Sequence, residues 1–292
     1  MCPISESDIL GSSSPQLHEA LQALPLRLGV PAFLARPMPA KMRVLRAVEH
    51  ASRLRAMARM KRALDTMWMV FQPIVDTSRR SVFAYEALMR NSEASLPLPG
   101  TVLSAAERLD CLQDLGRRAR TLCAEAFSRA PREAVLFVNL HTHDLLDPAL
   151  YEASAPLTRI AGRVVLEVTE RASIDDVKDI QARLSVLRHH GFRIAIDDLG
   201  AGYAGLSACV TLDPDFVKLD MFLVRNVHEC AIRQRIIETV MTMRAGMHVK
   251  IIAEGVEIAA ECDRLKAFEC RLMQGYLFAK PGPPFPSVDT FS

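Results

Sequence analysis

From Trp68 onward the chain alternates between two textures. Short apolar or alternating runs occupy Trp68–Val75, Val82–Met89, Ala134–Leu140, Arg163–Thr169, Phe192–Asp197, Asp215–Leu219, Val249–Ala253 and Met273–Phe278. Their length and period are those of strands. Helical spacing fills most of the gaps, at about 101–129, 174–190, 226–245 and 257–268. The first two runs are separated only by Asp76–Ser81. That is too few residues for a parallel crossover, so the pattern predicts a hairpin there. Strands alternating with helices predict the α/β class, as a (β/α)8 TIM-like barrel with an antiparallel first strand pair.

The front of the chain reads differently. Residues 1 to about 40 are irregular, with Ser12-Ser13-Ser14-Pro15 and prolines at 25, 31, 37 and 39, and carry at most one short helix near 16–23. From Lys41 to Asp65 there is no Gly or Pro, and Leu45, Val48, Leu54, Met57, Met60 and Leu64 recur at roughly helical spacing, which predicts an amphipathic helix. Its polar face is basic: Arg43, Arg46, Arg53, Arg55, Arg59, Lys61 and Arg62. A solvated face and a contact with a partner, a membrane surface or nucleic acid are the alternatives for the basic helix 41–65. The chain thus divides into an N-terminal extension (1–66), a barrel (67–286) and a C-terminal tail (287–292).

Composition narrows the setting. The 292 residues are 50% hydrophobic and 24% charged, as in an ordinary globular protein. A net charge of +2 argues against a dedicated nucleic-acid binder. No apolar run approaches the roughly 18 residues of a membrane span. The N-terminus carries Glu6 and Asp8 where a signal peptide would be basic and then apolar, so a cytoplasmic protein is expected. Seven cysteines (2, 111, 123, 209, 230, 262 and 270) form no CxxC pair and have no zinc spacing with histidine. They are expected to be reduced, buried thiols.

Chemistry gathers where the strands stop. The second run ends with Glu86 and Arg90, the third with Asn139, the fourth with Glu167 and Glu170, the fifth with Asp197-Asp198, the sixth with Lys218 and Asp220, and the seventh with Glu254 and Glu257. A single acidic residue in such a place is ordinarily a helix cap. Five or six in succession are not, because barrel strands deliver their C-terminal ends to one mouth. That many carboxylates repel one another unless a cation neutralises them. Oxygen donors without a consistent histidine point to magnesium or manganese, with calcium as an inhibitory competitor. The pair Asp197-Asp198 suits a two-metal site that activates water and clamps a phosphodiester. Lys218, the cation among them, would orient the attacking water or stabilise charge on phosphorus. Glu254 is the candidate base.

Two motifs compete with this reading. Gly200-Ala201-Gly202-Tyr203-Ala204-Gly205 matches a dinucleotide fingerprint, but Asp197 and Asp198 would then face a pyrophosphate. The glycines are better read as a loop beside the site. His141-Thr142-His143 suggests a metallohydrolase, yet no later strand supplies further histidines, and His141 is better placed to start a helix.

These residues carry a resemblance to the EAL-domain cyclic di-GMP phosphodiesterases of bacteria. It covers about residues 55–286, through Gln72-Pro73-Ile74-Val75, Glu86-Ala87-Leu88 with Arg90, Val138-Asn139-Leu140, Leu166-Glu167-Val168-Thr169-Glu170, Asp197-Asp198-Leu199-Gly200, Lys218-Leu219-Asp220, Ala253-Glu254-Gly255-Val256-Glu257, and Gln274-Gly275-Tyr276 with Pro281. The resemblance implies hydrolysis of cyclic di-GMP to linear pGpG with magnesium or manganese, in a homodimer. It implies metal binding by Glu86, Asn139, Glu167 and Asp197, with Asp198 on a second ion. Lys218 would hold the water, and Glu254 would be the base or a supporting carboxylate. Glu170 would anchor the glycine loop, and Gln72, Leu88, Arg90, Asp220, Glu257 and Gln274 would line the substrate or support the groups that do. The family's usual loop residues are replaced here by Leu199, Ala201 and Ala204-Gly205, and its serine after Val-Asn-Leu by His141. The alternative is a non-catalytic cyclic di-GMP receptor signalling through its N-terminal extension. Such a receptor is expected to lose metal ligands or the lysine, and this chain keeps both.

Overall fold

The computed structural model describes residues 40–169, 177–200 and 205–288. The expected helix at 16–23, Glu170 and loop residues 201–204 lie outside them. The chain divides into two units at Ala51/Ser52. This boundary falls within helix α1 (Ala40–Asp65). Met60 and Ala63 of its later turns are buried, but Leu45, Val48, Leu54 and Met57 are exposed. The expected single apolar face is therefore not formed. At 100° per residue these side chains point in several directions, with arginines between them.

Eight strands close into one barrel: β1 (Trp68–Asp76), β2 (Ser81–Arg90), β3 (Val135–Leu140), β4 (Val164–Thr169), β5 (Arg193–Leu199), β6 (Phe216–Leu219), β7 (Lys250–Ala253) and β8 (Leu272–Met273). Strand β1 is antiparallel to both β2 and β8, and every other neighbouring pair is parallel. The barrel with a reversed first strand is thus present as the sequence predicts.

Three expected elements differ. The helix at 101–129 is two, α2 (Pro99–Leu109) and α3 (Leu112–Phe127), because Asp110 turns left-handed (φ 58°) and its N–H bonds back to α2. The segment after β6 holds a short helix α6 (Met221–Val224) before α7 (Ala231–Met247). Between these strands and helices lie α4 (Ile180–His190), α5 (Gly205–Leu212) and, after β7, α8 (Ala259–Ala267). Strand β8 stops at Met273 rather than running to Phe278, because the chain turns there: Leu277 N–H donates to the Val256 carbonyl at 3.0 Å and Phe278 N–H to that of Gly275 at 3.1 Å, and Gly275 lies so close to the Val256 backbone that a Cβ would fall 2.0 Å from its carbonyl oxygen.

Inside the barrel, period-two alternation stacks the side chains in layers. One buried cluster takes one residue from each strand: Ile74, Ala84, Phe137, Val165, Ala195, Phe216, Ile252 and Leu272. This apolar plug fills the lower barrel, with Phe137 and Phe216 packed edge to face at 5.2 Å. Two residues toward the C-terminus of each parallel strand, and two toward the N-terminus on reversed β1, stand Gln72, Glu86, Asn139, Glu167, Asp197, Lys218, Glu254 and Gln274. The strands thus present a ring of polar residues directly above the plug. The larger cluster, including Leu166, Ile194, Ile196, Leu184 and Leu187, packs the outer barrel wall against the helices.

Candidate active site

The polar ring is organised by Lys218. Its side chain is 1% exposed, and its Nζ lies 2.7 Å from Glu167 Oε1, 2.7 Å from Glu254 Oε1, 3.1 Å from Asp197 Oδ1 and 3.5 Å from Glu86 Oε2. Burial works against its charged form, but Asp197, Glu167, Glu254 and Glu86 outweigh that and hold the ammonium pKa well above the ordinary lysine value. The four carboxylates thus favour the charged form of Lys218.

The carboxylates respond in the opposite sense. Burial pushes Glu167 well above the usual carboxylate range; Lys218 pulls it down, and Glu86 and Asp197 push it up again. Burial likewise raises Glu254 to about 8 against the pull of Lys218, with Asp197 and Glu86 adding to the rise. Both Glu167 oxygens are buried and accept no aligned hydrogen bond among the described residues, despite the nearby ammonium.

Amides hold the remaining side of the ring. Asn139 Nδ2 donates to Glu86 Oε1 at 3.1 Å, and Gln274 Nε2 donates to Glu86 Oε2 at 2.6 Å and to Gln72 Oε1 at 3.0 Å. Gln72 Nε2 in turn donates to the Ala279 carbonyl at 3.1 Å. Asp198 takes a left-handed backbone (φ 60°), which aspartate tolerates better than most residues. Its N–H donates to Asp197 Oδ1 at 3.0 Å. Oxygens of Asp197, Asp198 and Glu254 lie within 4.8 Å of one another.

This arrangement fits a divalent cation. The four carboxylates around one ammonium leave an excess of negative charge, and Asp198 adds to it. Buried carboxylates in such a group need a cation or protons. The donors are all oxygen, as magnesium or manganese requires, and Glu167 Oε2, buried without a hydrogen-bond partner among the described residues, offers one of them.

The other expected residues sit around the ring rather than in it. Leu88 edges an apolar cavity of about 320 Å³ between β2, β3 and helices α2 and α3, which Glu86, Asn139 and His141 also line. Arg90 ends β2 and donates to the Met89 carbonyl. Asp220 caps α6, accepting from Phe222 N at 2.7 Å, and Glu257 is exposed and paired with Arg225. His141 starts the short 3-10 helix Thr142–Leu146, its Nδ1 accepting from His143 N, as its place in the sequence suggested.

Two supporting groups escaped the sequence reading. Buried Glu261 accepts from Asn226 N and Glu257 N, both at 2.9 Å, and so ties the loop after β6 to the loop after β7. Its signal is a glutamate at the third position of α8, where carboxylates meet free backbone N–H groups. Arg120 bridges Asp144 and Asp147 at 2.6 Å each, and Asp144 accepts from His141 N at 3.1 Å, two residues beyond Asn139. The signal there is Arg117 with Arg120 and Asp144 with Asp147, each pair three residues apart.

A closed barrel with a carboxylate-caged lysine at the C-terminal ends of its strands defines a (β/α)8-type protein with an acidic, all-oxygen site at the barrel mouth. The EAL domain family model matches residues 55–281, and the chain belongs to that family. It is similar to a probable cyclic di-GMP phosphodiesterase, PdeG of Escherichia coli K12, at 29% identity over 72% of this chain and 44% of that protein. Among solved structures, a standalone EAL protein of Vibrio cholerae O395 in its c-di-GMP-bound form matches with a TM-score of 0.67 and 30% identity, covering 76% of this chain and 95% of that one. BlrP1 of Klebsiella pneumoniae, in a manganese/cy-diGMP complex, matches with a TM-score of 0.65 and 28% identity, covering 74% and 56%. The chain spans less than half the length of the first curated relatives it matches, 37% of mycobacterial proteins and 44% of PdeG. Among the described residues no helix is long and apolar enough to cross a membrane.

Proposed function

We propose that this chain hydrolyses one phosphodiester bond of cyclic di-GMP, giving linear pGpG, with a divalent metal. The observation that carries the reading is Lys218, a buried cation held by four carboxylates from four other strands or strand ends. Glu86, Asn139, Glu167, Asp197 and Asp198 would hold magnesium or manganese. When bound, such an ion supplies charge stabilisation at phosphorus and makes water more acidic.

The remaining work falls to the chain itself. Lys218 keeps its three protons, so it donates to the attacking water and fixes the direction of its lone pair. Water oxygen forms the new bond to phosphorus as the bond to the 3′ oxygen breaks, and that oxygen takes a proton from solvent. Glu254 receives the proton lost by water. Its raised pKa follows from burial among carboxylates, and neutralising those neighbours lowers it into the range of a working base. Gln72 and Gln274 keep Glu86 in register with Asn139. Residues 67–286 would form the catalytic barrel and 1–66 its N-terminal extension.

Incubating purified protein with cyclic di-GMP and magnesium or manganese should yield pGpG, and chelator should stop the reaction. Tight binding of cyclic di-GMP with no turnover in either metal would overturn the proposal in favour of a receptor.

A further inference from the structure

The barrel has a second chamber at the end opposite the polar ring. It is a cavity of about 450 Å³ below the apolar plug, walled by Arg79, Arg244, His248, Lys250 and Arg271, with Asp76 as its one carboxylate among the described residues. Along β7 the separation is explicit: Lys250 stands two residues before Ile252 of the plug, and Glu254 two residues after it. We propose that this chamber binds a di- or triphosphate group, either inorganic or carried on a nucleotide.

The charges in its wall are unusually uncompensated. Lys250 Nζ lies 5.7 Å from the centroid of the Phe83 ring and 5.4 Å from that of Phe216, so aromatic faces hold it in place of a carboxylate. Neither Lys250 nor Arg271 has an ion-pair partner among the described residues. Arg244 meets exposed Glu269 at 3.5 Å, and Arg79 meets Asp76 at 3.7 Å. Asp76 is already committed to the β1–β2 turn, its Oδ1 accepting from Ser78 N, Ser78 Oγ and Arg79 N. Four permanent cations against Asp76 leave a net of +3, and counting Glu269 leaves +2, which equals the charge of the whole chain.

Like charges around a concave wall repel one another and focus a positive potential into the space between them. A multivalent anion relieves both effects. Guanidinium forks match phosphate oxygens, and the volume falls in the usual range of small-ligand sites, about 300–1,000 Å³. The cations come from separate elements: the β1–β2 turn, α7, and the starts of β7 and β8. A chain of phosphoryl groups reaches more of them than a single phosphate does. Phosphate binding at this end is independent of the catalytic reading, because the plug lies between the two sites.

The test is calorimetric titration of the full chain in EDTA and low salt with sodium tripolyphosphate, orthophosphate and guanosine or adenosine triphosphate. Tripolyphosphate should bind once per chain, about tenfold or more tighter than orthophosphate, with each of Lys250→Gln and Arg271→Gln weakening it about tenfold. Both side chains are exposed, so the variants should melt as wild type does. Arg271→Lys, which keeps the charge but loses the fork, should bind more tightly than Arg271→Gln and more weakly than wild type, and Glu254→Gln in the catalytic ring should leave the affinity unchanged. A nucleoside triphosphate binding more tightly than tripolyphosphate identifies a nucleotide as the ligand; equal affinities identify the phosphate chain alone. No saturable binding, wild-type affinity in the double variant, or a response to Glu254→Gln would overturn the proposal.

Discussion

Replacing Lys218 by methionine removes the one cation of the polar ring while keeping an unbranched side chain. In the present structure that ammonium lies within 3.5 Å of four carboxylates. Removing one partner of a buried ion pair costs about 3–5 kcal/mol. Part of this is recovered, because Glu167 and Glu254 are already pushed up by burial and take protons instead of remaining charged. The metal-free variant should therefore lose about 3 kcal/mol, the low end of that range. Turnover should fall more plainly. Losing one pre-positioned donor typically costs a factor of about 10²–10³, or roughly 3–4 kcal/mol in the barrier. Urea unfolding in EDTA reads the first quantity, and chromatographic detection of pGpG with manganese reads the second. Manganese should also narrow the stability gap, since added positive charge substitutes for the lost ammonium. Wild-type turnover in Lys218→Met would refute the argument that this cation directs the water.

Other perturbations test the scaffold. Arg120→Leu strips the cation from buried Asp144 and leaves Asp147 only Arg117, so it should cost about 3–5 kcal/mol in denaturant unfolding. Burial already raises the Asp144 pKa against the pull of Arg120; without Arg120 the carboxyl stays protonated to higher pH, so the deficit should be smaller at pH 5 than at pH 8. An equal deficit at both values would contradict this. Gly275→Ala places a Cβ against the Val256 backbone and should cost at least about 1–3 kcal/mol while lowering turnover through Gln274; an unchanged melting curve would count against the close approach. Burial pushes the Cys123 and Cys270 thiols up to about 12. Both should stay unmodified by an aromatic disulfide reagent at pH 8 in the native state and react once unfolded. Because the unfolded thiols ionise first, their contribution to stability is fully present below about pH 8.5 and is lost as pH rises toward 12. Rapid native labelling of either would show that it is accessible.

The strand positions and their polar termini were legible because both are local. A period of two sets which residues share a face, so Glu86, Glu167, Asp197 and Lys218 could be read as one side of successive strands. The short Asp76–Ser81 connection similarly required β1 to reverse. Sequence alone could not divide the helix at Asp110, since a left-handed turn at one aspartate leaves helical spacing on both sides almost intact. Nor could it end β8 at Met273, because Gly275 just beyond it meets the Val256 backbone, nineteen residues away. The expected apolar face on α1 failed for a related reason: approximate spacing does not show which side meets a neighbour.

What the sequence by itself determined, then, was which side chains are sent inward above the plug. Closure of the barrel decided the rest. Only closure brings Glu86 and Glu254, which are 168 positions apart, to the same ammonium, and only closure places Lys250 and Arg271 at the opposite end. Charge spacing along a chain sets no electrostatic energy until the fold fixes distance and excludes water. Here that step turns separate strand-end residues into a buried lysine caged by four carboxylates.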